Sequence, residues 1–168
     1  MGPFAIIVDA TGALNIQGVG PEKSLGSVNA DHLTQSFLVN AIGPALVMRH
    51  FAPLLDKGSS VYAKLSARVG SIADNKKGGW YGYRASKAAL NMMLQTAAIE
   101  LQRKNPTLRV VALQPGTVRS KLSEPYTSSQ VHLLEPDESV LGMLTALKAL
   151  PAKTGAHFVD YKGAEIPW

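Results

Sequence analysis

Tyr83 and Lys87 stand one helical turn apart in the stretch Gly78-Gly79-Trp80-Tyr81-Gly82-Tyr83-Arg84-Ala85-Ser86-Lys87-Ala88-Ala89-Leu90-Asn91. On a helix that spacing projects both side chains from one face. A free phenol titrates near ~10, so its phenolate is scarce at neutral pH. A neighbouring cation favours the ionised form. The expectation is therefore that Lys87 lowers the pKa of Tyr83, and that the pair exchanges a proton with a carbonyl or alcohol near working pH. Small residues at 85, 86, 88 and 89 allow backbone, or a flat cofactor, to approach that face. Taken alone, a Tyr-x-x-x-Lys pair also marks many solvated helix faces.

The elements that must position this pair alternate between strand and helix. Phe4–Val8 is a short apolar run, as expected of a strand buried on both faces of a parallel sheet. It ends in Asp9-Ala10-Thr11-Gly12, and residues 13–30 read as loop, broken by Gly18, Gly20, Pro21 and Gly26. A long helix follows, capped near Asn29 or Asp31. Pro44 has no amide hydrogen for the carbonyl of Asn40, so the helix should kink there. Residues 60–65 form a second strand, in which Lys64 is out of character; a place near a cofactor or at the sheet margin suits it best.

The loop from Ser66 to Trp80 leads into the Tyr83 helix. That helix is apolar nearly all round, and so is expected to be buried on the sheet and against a second subunit. Arg109–Gln114 is a third strand, running into Pro115-Gly116-Thr117-Val118-Arg119-Ser120. Residues 121–135, with Leu122, Tyr126 and His132, have the composition of a mobile lid. A helix over 137–150 and a strand over 157–160 complete the chain. This order predicts an α/β fold with a parallel sheet, in one domain spanning 1–168.

Composition narrows the function classes. The 168 residues are 46% hydrophobic and 17% charged, as in a globular protein with many buried elements. There is no cysteine, which excludes disulfides and thiolate chemistry. The four histidines are widely spaced, and no metal site is expected. The net charge of +5 comes from dispersed basic residues without an aromatic-basic repeat, so nucleic-acid binding is not expected. No uninterrupted apolar run of membrane-span length and no signal peptide is read, which makes a cytoplasmic protein the default.

Tyr83-Arg84-Ala85-Ser86-Lys87-Ala88-Ala89-Leu90 strongly resembles the active-site helix of the short-chain dehydrogenase/reductase family, and Leu65-Ser66-Ala67-Arg68-Val69-Gly70-Ser71 resembles its C-factor-like branch. The resemblance implies a partial Rossmann-like, doubly wound sheet with flanking helices. It also implies an NAD(P)-dependent oxidoreductase moving hydride between nicotinamide and a carbonyl or alcohol substrate. Tyr83 would then be the acid/base, Lys87 would tune it and hold the nicotinamide ribose, and Asn40 would anchor a relay water. Ala10-Thr11-Gly12 resembles the family's turn beside the cofactor. Pro115-Gly116 with Val118 and Ser120 resembles its loop over the nicotinamide ring.

Two departures stand out. The family's serine falls on Ala67, so Ser71, or alternatively Ser66, is expected to replace it. No Gly-rich phosphate turn follows a strand. By resemblance the chain starts at the family's fourth strand, lacks the adenosine-binding half, and alone holds NAD or NADP weakly or not at all. Two classes follow: an oxidoreductase, or a truncated non-catalytic remnant serving as a binding or signalling module. Self-association through the long helices is expected. So is coverage of the open Phe4–Val8 edge, by a second copy or by a rearranged element. The choice of NAD or NADP, and the substrate, stay open.

Overall fold

The computed structural model describes residues 3–127 and 133–168. Four strands, β1 (Ile6–Asp9), β2 (Val61–Leu65), β3 (Arg109–Gln114) and β4 (His157–Asp160), form one parallel sheet in the order β1-β2-β3-β4. The crossovers carry α1 (Ala30–Phe37) and α2 (Gly43–Phe51), then α3 (Tyr81–Gln102), then α4 (Pro136–Ala149). Alternation along each strand divides the core in two. Tyr62, Val110, Ala112 and Phe158 pack with Met48 of α2 and with Leu90, Leu94 and Ala98 of α3. Val61, Ala63, Val111, Leu113 and Val159 pack with Leu147 of α4 on the other face. The sheet is thus covered by helices on both sides, as a doubly wound α/β fold requires.

The expected kink takes a specific form. Between α1 and α2 the chain winds through a π-helical turn, Leu38–Ile42, in which the Gly43 amide bonds the Leu38 carbonyl. A wider turn accommodates the missing amide of Pro44 without breaking the helix. Asn29 caps α1, its side chain accepting from the amides of Asp31 and His32. The whole stretch Ala30–Leu54 meets the length and composition of a membrane span, contrary to the sequence reading. It is nevertheless seated as a layer of this fold, with Ser36, Asn40, Pro44 and Met48 buried along one stripe.

Two expectations need correction. β1 is not buried on both faces: Ile6 is 38% and Val8 47% exposed, while Asp9 is buried. Ile7 and Asp9 point to the α2–α3 side, whereas α4 packs over the inner strands and leaves the other face of the edge strand open. Leu90 and Leu94 are fully buried in the chain's own core, so they are not available to a second subunit; Tyr81, Met92 and Ile99 are the large apolar residues that α3 exposes. Within the chain, a rearranged segment covers the β1 edge at its start, where Phe4 bonds Leu54 and Asp56. From Ile6 onward no strand lies outside it among the described residues.

The approach of the 3₁₀ turn Arg68–Gly70 to α3 is the tightest junction near Lys87. A Cβ at Gly70 would lie 2.9 Å from the Lys87 Cβ and carbonyl carbon. Gly70→Ala is therefore expected to destabilise the fold by about 1–3 kcal/mol through overpacking. Gly26→Ala, where a Cβ meets nothing within 4 Å, should be close to neutral. Chemical denaturation of both variants checks the contrast.

Candidate active site

Near the carboxyl ends of β1 and β2 the start of α3 brings together Lys87, Tyr83, Asn40 and the turn Ala10-Thr11-Gly12. Tyr83 and Lys87 share one face: the Lys87 ammonium lies 5.7 Å from the centre of the Tyr83 ring. Lys87 is buried and donates to the Leu65 carbonyl at 3.1 Å, where β2 ends. Asn40 is also buried, and its side chain clamps one backbone unit, Oδ1 accepting from the Ala13 amide at 2.9 Å and Nδ2 donating to the Ala13 carbonyl at 2.8 Å. Between them runs the turn Ala10-Thr11-Gly12. Gly12 has φ 149°, and a Cβ there would lie 3.2 Å from Asn40 Oδ1 and 3.4 Å from Lys87 Nζ. The positive φ favours glycine at this point, and an added Cβ would press on Asn40.

A buried ion pair underlies this turn. Asp9 and Lys64 are opposite residues of the β1–β2 ladder, and their side chains are 2% and 1% exposed. Lys64 Nζ donates to Asp9 Oδ1 at 3.1 Å, to Thr11 Oγ1 at 3.0 Å and to the Thr11 carbonyl. Asp9 Oδ1 also accepts from the Thr11 amide at 2.9 Å and its hydroxyl at 2.7 Å. Sequence reading singled out Lys64 as odd in a strand but gave it no partner, because the pairing with Asp9 depends on the strand register.

The two serines do not converge on Tyr83. The Ser66 hydroxyl turns along α3 and donates to Asn91 Oδ1 at 2.6 Å. Ser71 is buried and accepts from the Asp74 amide at 3.0 Å. Among the described residues neither bonds the Tyr83 hydroxyl, and Ala67 is half-buried between them.

The loop after β3 is held from behind. Gly116 has φ 82°, and a Cβ there would come within 2.5 Å of the Leu134 side chain. Val118 pairs with Leu134, and the Ser120 hydroxyl meets Ser123 Oγ at 3.3 Å. The Pro115 carbonyl accepts from Ser139 at 2.6 Å, which ties the loop to α4. Of the expected lid, His132 lies outside the described residues. Leu122 is 44% exposed, and Tyr126 hydrogen-bonds the Asn15 side chain.

Two further features had no local signal. Trp80 stands edge-on to both Tyr83, at 6.1 Å, and Tyr126, at 5.2 Å. This forms an aromatic wall that joins the lid segment to α3. Glu22, from the loop after β1, caps α3: its Oε2 accepts from the Gly82 amide at 2.9 Å, and its Oε1 meets His32 at 2.9 Å. Burial pushes the Glu22 carboxyl up, but the bonds from Gly82 and His32 outweigh it and hold the group below its ordinary range. A carboxylate at a helix N-terminus is favourably placed.

The electrostatics correct the opening expectation. Tyr83 is raised rather than lowered, to about 12, because burial penalises the phenolate. Lys87 is not a dependable cation: burial first, then the neighbouring Lys64, push it down to about 7, against the pull of Asp9. Burial also depresses Lys64, while Asp9 pulls it back up. The free site therefore holds a protonated phenol beside an amine that titrates near neutrality.

A model described as short chain dehydrogenase matches residues 1–131. The chain belongs to the short-chain dehydrogenase family. C-signal from Myxococcus xanthus is 32% identical over 99% of this chain and 94% of its own length. A 1-hydroxy-2-glutathionyl-2-methyl-3-butene dehydrogenase from Rhodococcus sp. (strain AD45) is 29% identical, over 92% of this chain and 66% of its own length. A structure from Burkholderia multivorans with bound NADP, assigned to the short-chain dehydrogenases/reductases, superimposes with a TM-score of 0.84. It is 30% identical, and the match covers 99% of this chain and 68% of that one. The chain thus spans nearly all of C-signal but about two-thirds of the other two.

The shifted groups make stability depend on pH. Between about 7 and the ordinary lysine value of 10.5, the unfolded chain carries a proton on Lys87 that the folded chain has lost, so stability rises with pH across that window. Above 10 the sign reverses for Tyr83, because the unfolded phenol ionises first. The melting temperature is expected to climb from pH 7 to about 9.5. Lys87→Met should flatten that climb, as measured by calorimetric scans at matched ionic strength.

Proposed function

We propose that this chain carries the catalytic residues of an NAD(P)-dependent oxidoreductase that interconverts a small carbonyl and its alcohol. The observation that carries the reading is that Lys87 and Asn40 flank the Gly12 turn at the carboxyl rim of a parallel sheet, with the Tyr83 ring beside the Lys87 ammonium. In doubly wound folds this rim is where ligands bind. Family membership and the NADP-bound neighbour support it.

The residues present suit the nicotinamide end of such a cofactor. Ala10, Thr11 and Gly12 expose their turn beside Lys87. Lys87 has an amine able to bond a ribose hydroxyl, while Pro115, Gly116, Val118 and Ser120 supply a loop of backbone and hydroxyl groups across the rim. When bound, a nicotinamide supplies or accepts the hydride.

The chain's own part is the proton. Tyr83, held protonated by burial, donates from its hydroxyl to the carbonyl oxygen as negative charge develops there. Lys87 then returns a proton to the phenolate, which its position near neutrality allows at little cost. Asn40 holds the backbone at Ala13 and so fixes the turn against which Lys87 lies. The carbonyl-polarising hydroxyl is assigned to Ser71, with Ser66 as the alternative once its bond to Asn91 opens. Trp80 and Tyr126 would form an apolar wall for the substrate. Self-association is part of the proposal, supported by exposed Leu38, Val39, Ile42 and Leu46 along the α1–α2 stretch; light scattering that shows only monomer would remove it.

Turnover tests the reading. With millimolar NADPH or NADH and a panel of small aldehydes and ketones, the chain is expected to oxidise the cofactor in proportion to carbonyl. Tyr83→Phe should reduce kcat by roughly 10²–10⁴-fold, the range for loss of a general acid. Absence of turnover in folded protein, or full activity in Tyr83→Phe, would overturn it and favour the non-catalytic class.

A further inference from the structure

Lys64 is fully buried in the middle of the sheet, on the same face as α3, and the proton-transfer scheme above does not use it. A lysine in such a place is costly, because burial penalises its charge. Its compensation is unusually complete: Asp9 across the ladder, and Thr11 through both its carbonyl and its hydroxyl. All these partners lie in the turn that ends at Gly12, whose open Cβ position faces Lys87 Nζ and Asn40 Oδ1. The next residue along β2, Leu65, gives its carbonyl to Lys87. One ammonium is thus joined through Thr11 to one side of Lys87, and through the adjacent peptide to the other.

We propose that Lys64 is a positioning residue for the Tyr83–Lys87 pair, tying down the Asp9–Gly12 turn and setting a second cation beside Lys87. This rests on the reading of Tyr83 and Lys87 as the reacting pair. The consequence is electrostatic as well as geometric. The titratable groups that face Lys87 are Asp9 from β1, Lys64 from β2 and Tyr83 from its own helix. Burial lowers Lys87 most, Lys64 lowers it further, and Asp9 opposes both. Removing the Lys64 charge leaves burial and the Asp9 carboxylate, so the Lys87 ammonium becomes easier to keep.

Asp9 Oδ2 and the Tyr62 hydroxyl are both buried without a hydrogen-bond partner among the described residues, and Tyr62 is pushed up by burial and by Asp9. The pair therefore has little slack. Loss of one charge exposes the other to an apolar surrounding. The test must include a variant in which both are neutral.

The experiment follows Lys87 directly, by NMR titration of protein labelled with 13Cε-lysine, the Lys87 signal being assigned by its loss in Lys87→Met. Three proteins are compared: the native chain, Lys64→Gln, and the double variant Asp9→Asn with Lys64→Gln, which keeps hydrogen-bonding groups but no charge. The Lys87 midpoint is expected to rise in both variants, by about one pH unit or more in Lys64→Gln, where the Asp9 side chain is retained. A smaller rise is expected in the double variant, which serves alone if the single one does not fold. An unchanged or lowered midpoint in folded protein overturns the proposal and leaves Lys64 a structural pin. Turnover of the native chain, measured separately, decides the reductase reading. Moved midpoints without Tyr83-dependent turnover would uphold the placement of Lys64 and reject only that reading.

Discussion

An aspartate and a lysine lie buried side by side where β1 and β2 end, and the geometry of the site follows from how they are satisfied. Asp9 and Lys64 face each other because the parallel ladder runs in that register. Burying such a pair is favourable only when further hydrogen bonds complete it. Thr11 provides them, and doing so curls the chain back over the end of the strand. Gly12 then carries the turn past Asn40 and Lys87 at a positive φ that side chains rarely adopt. A turn that would otherwise be a mobile strand end becomes a fixed wall of the site.

The helices meet this wall through equally specific local devices. The π-helical turn before Pro44 aims Asn40 inward, so that it clamps Ala13. Gly70 lets the loop after β2 press against the backbone of Lys87. Glu22 crosses from the loop after β1 to hold the first turn of α3, and Arg84 Nε fastens the Gly79 carbonyl of the approach at 2.9 Å. Tyr83 and Lys87 are therefore placed by contacts from several separate segments, most of them backbone-directed. The rigidity suits a site in which a proton must move over a short distance.

Much of this was legible in the residues, and what was not has definite causes. Arg109–Gln114 and His157–Asp160 emerge as read, because short apolar runs bounded by turn residues are strong signals. The Pro44 distortion was foreseeable from a missing amide. β1 misled because an apolar run does not reveal whether a helix covers each face. The wrong sign for Tyr83 came from weighing a neighbouring cation above the tyrosine's own burial, which penalises the phenolate. Ser66, the alternative to Ser71, lies just past β2 and donates to Asn91 of α3. The Asp9–Lys64 pair, the Glu22 cap and the Trp80–Tyr126 contact join residues 55, 60 and 46 positions apart, and only the folded chain brings them together.

At the centre of this account is a tyrosine kept protonated by its surroundings, next to a lysine that changes charge near neutral pH. The most direct measurement is an NMR titration of protein labelled with 13Cζ-tyrosine, with Tyr83 assigned by substitution. The account predicts that Tyr83 stays a phenol through pH 10 and ionises only near about 12. A phenolate with a midpoint below the ordinary tyrosine value of 10.0 in the free protein would contradict it.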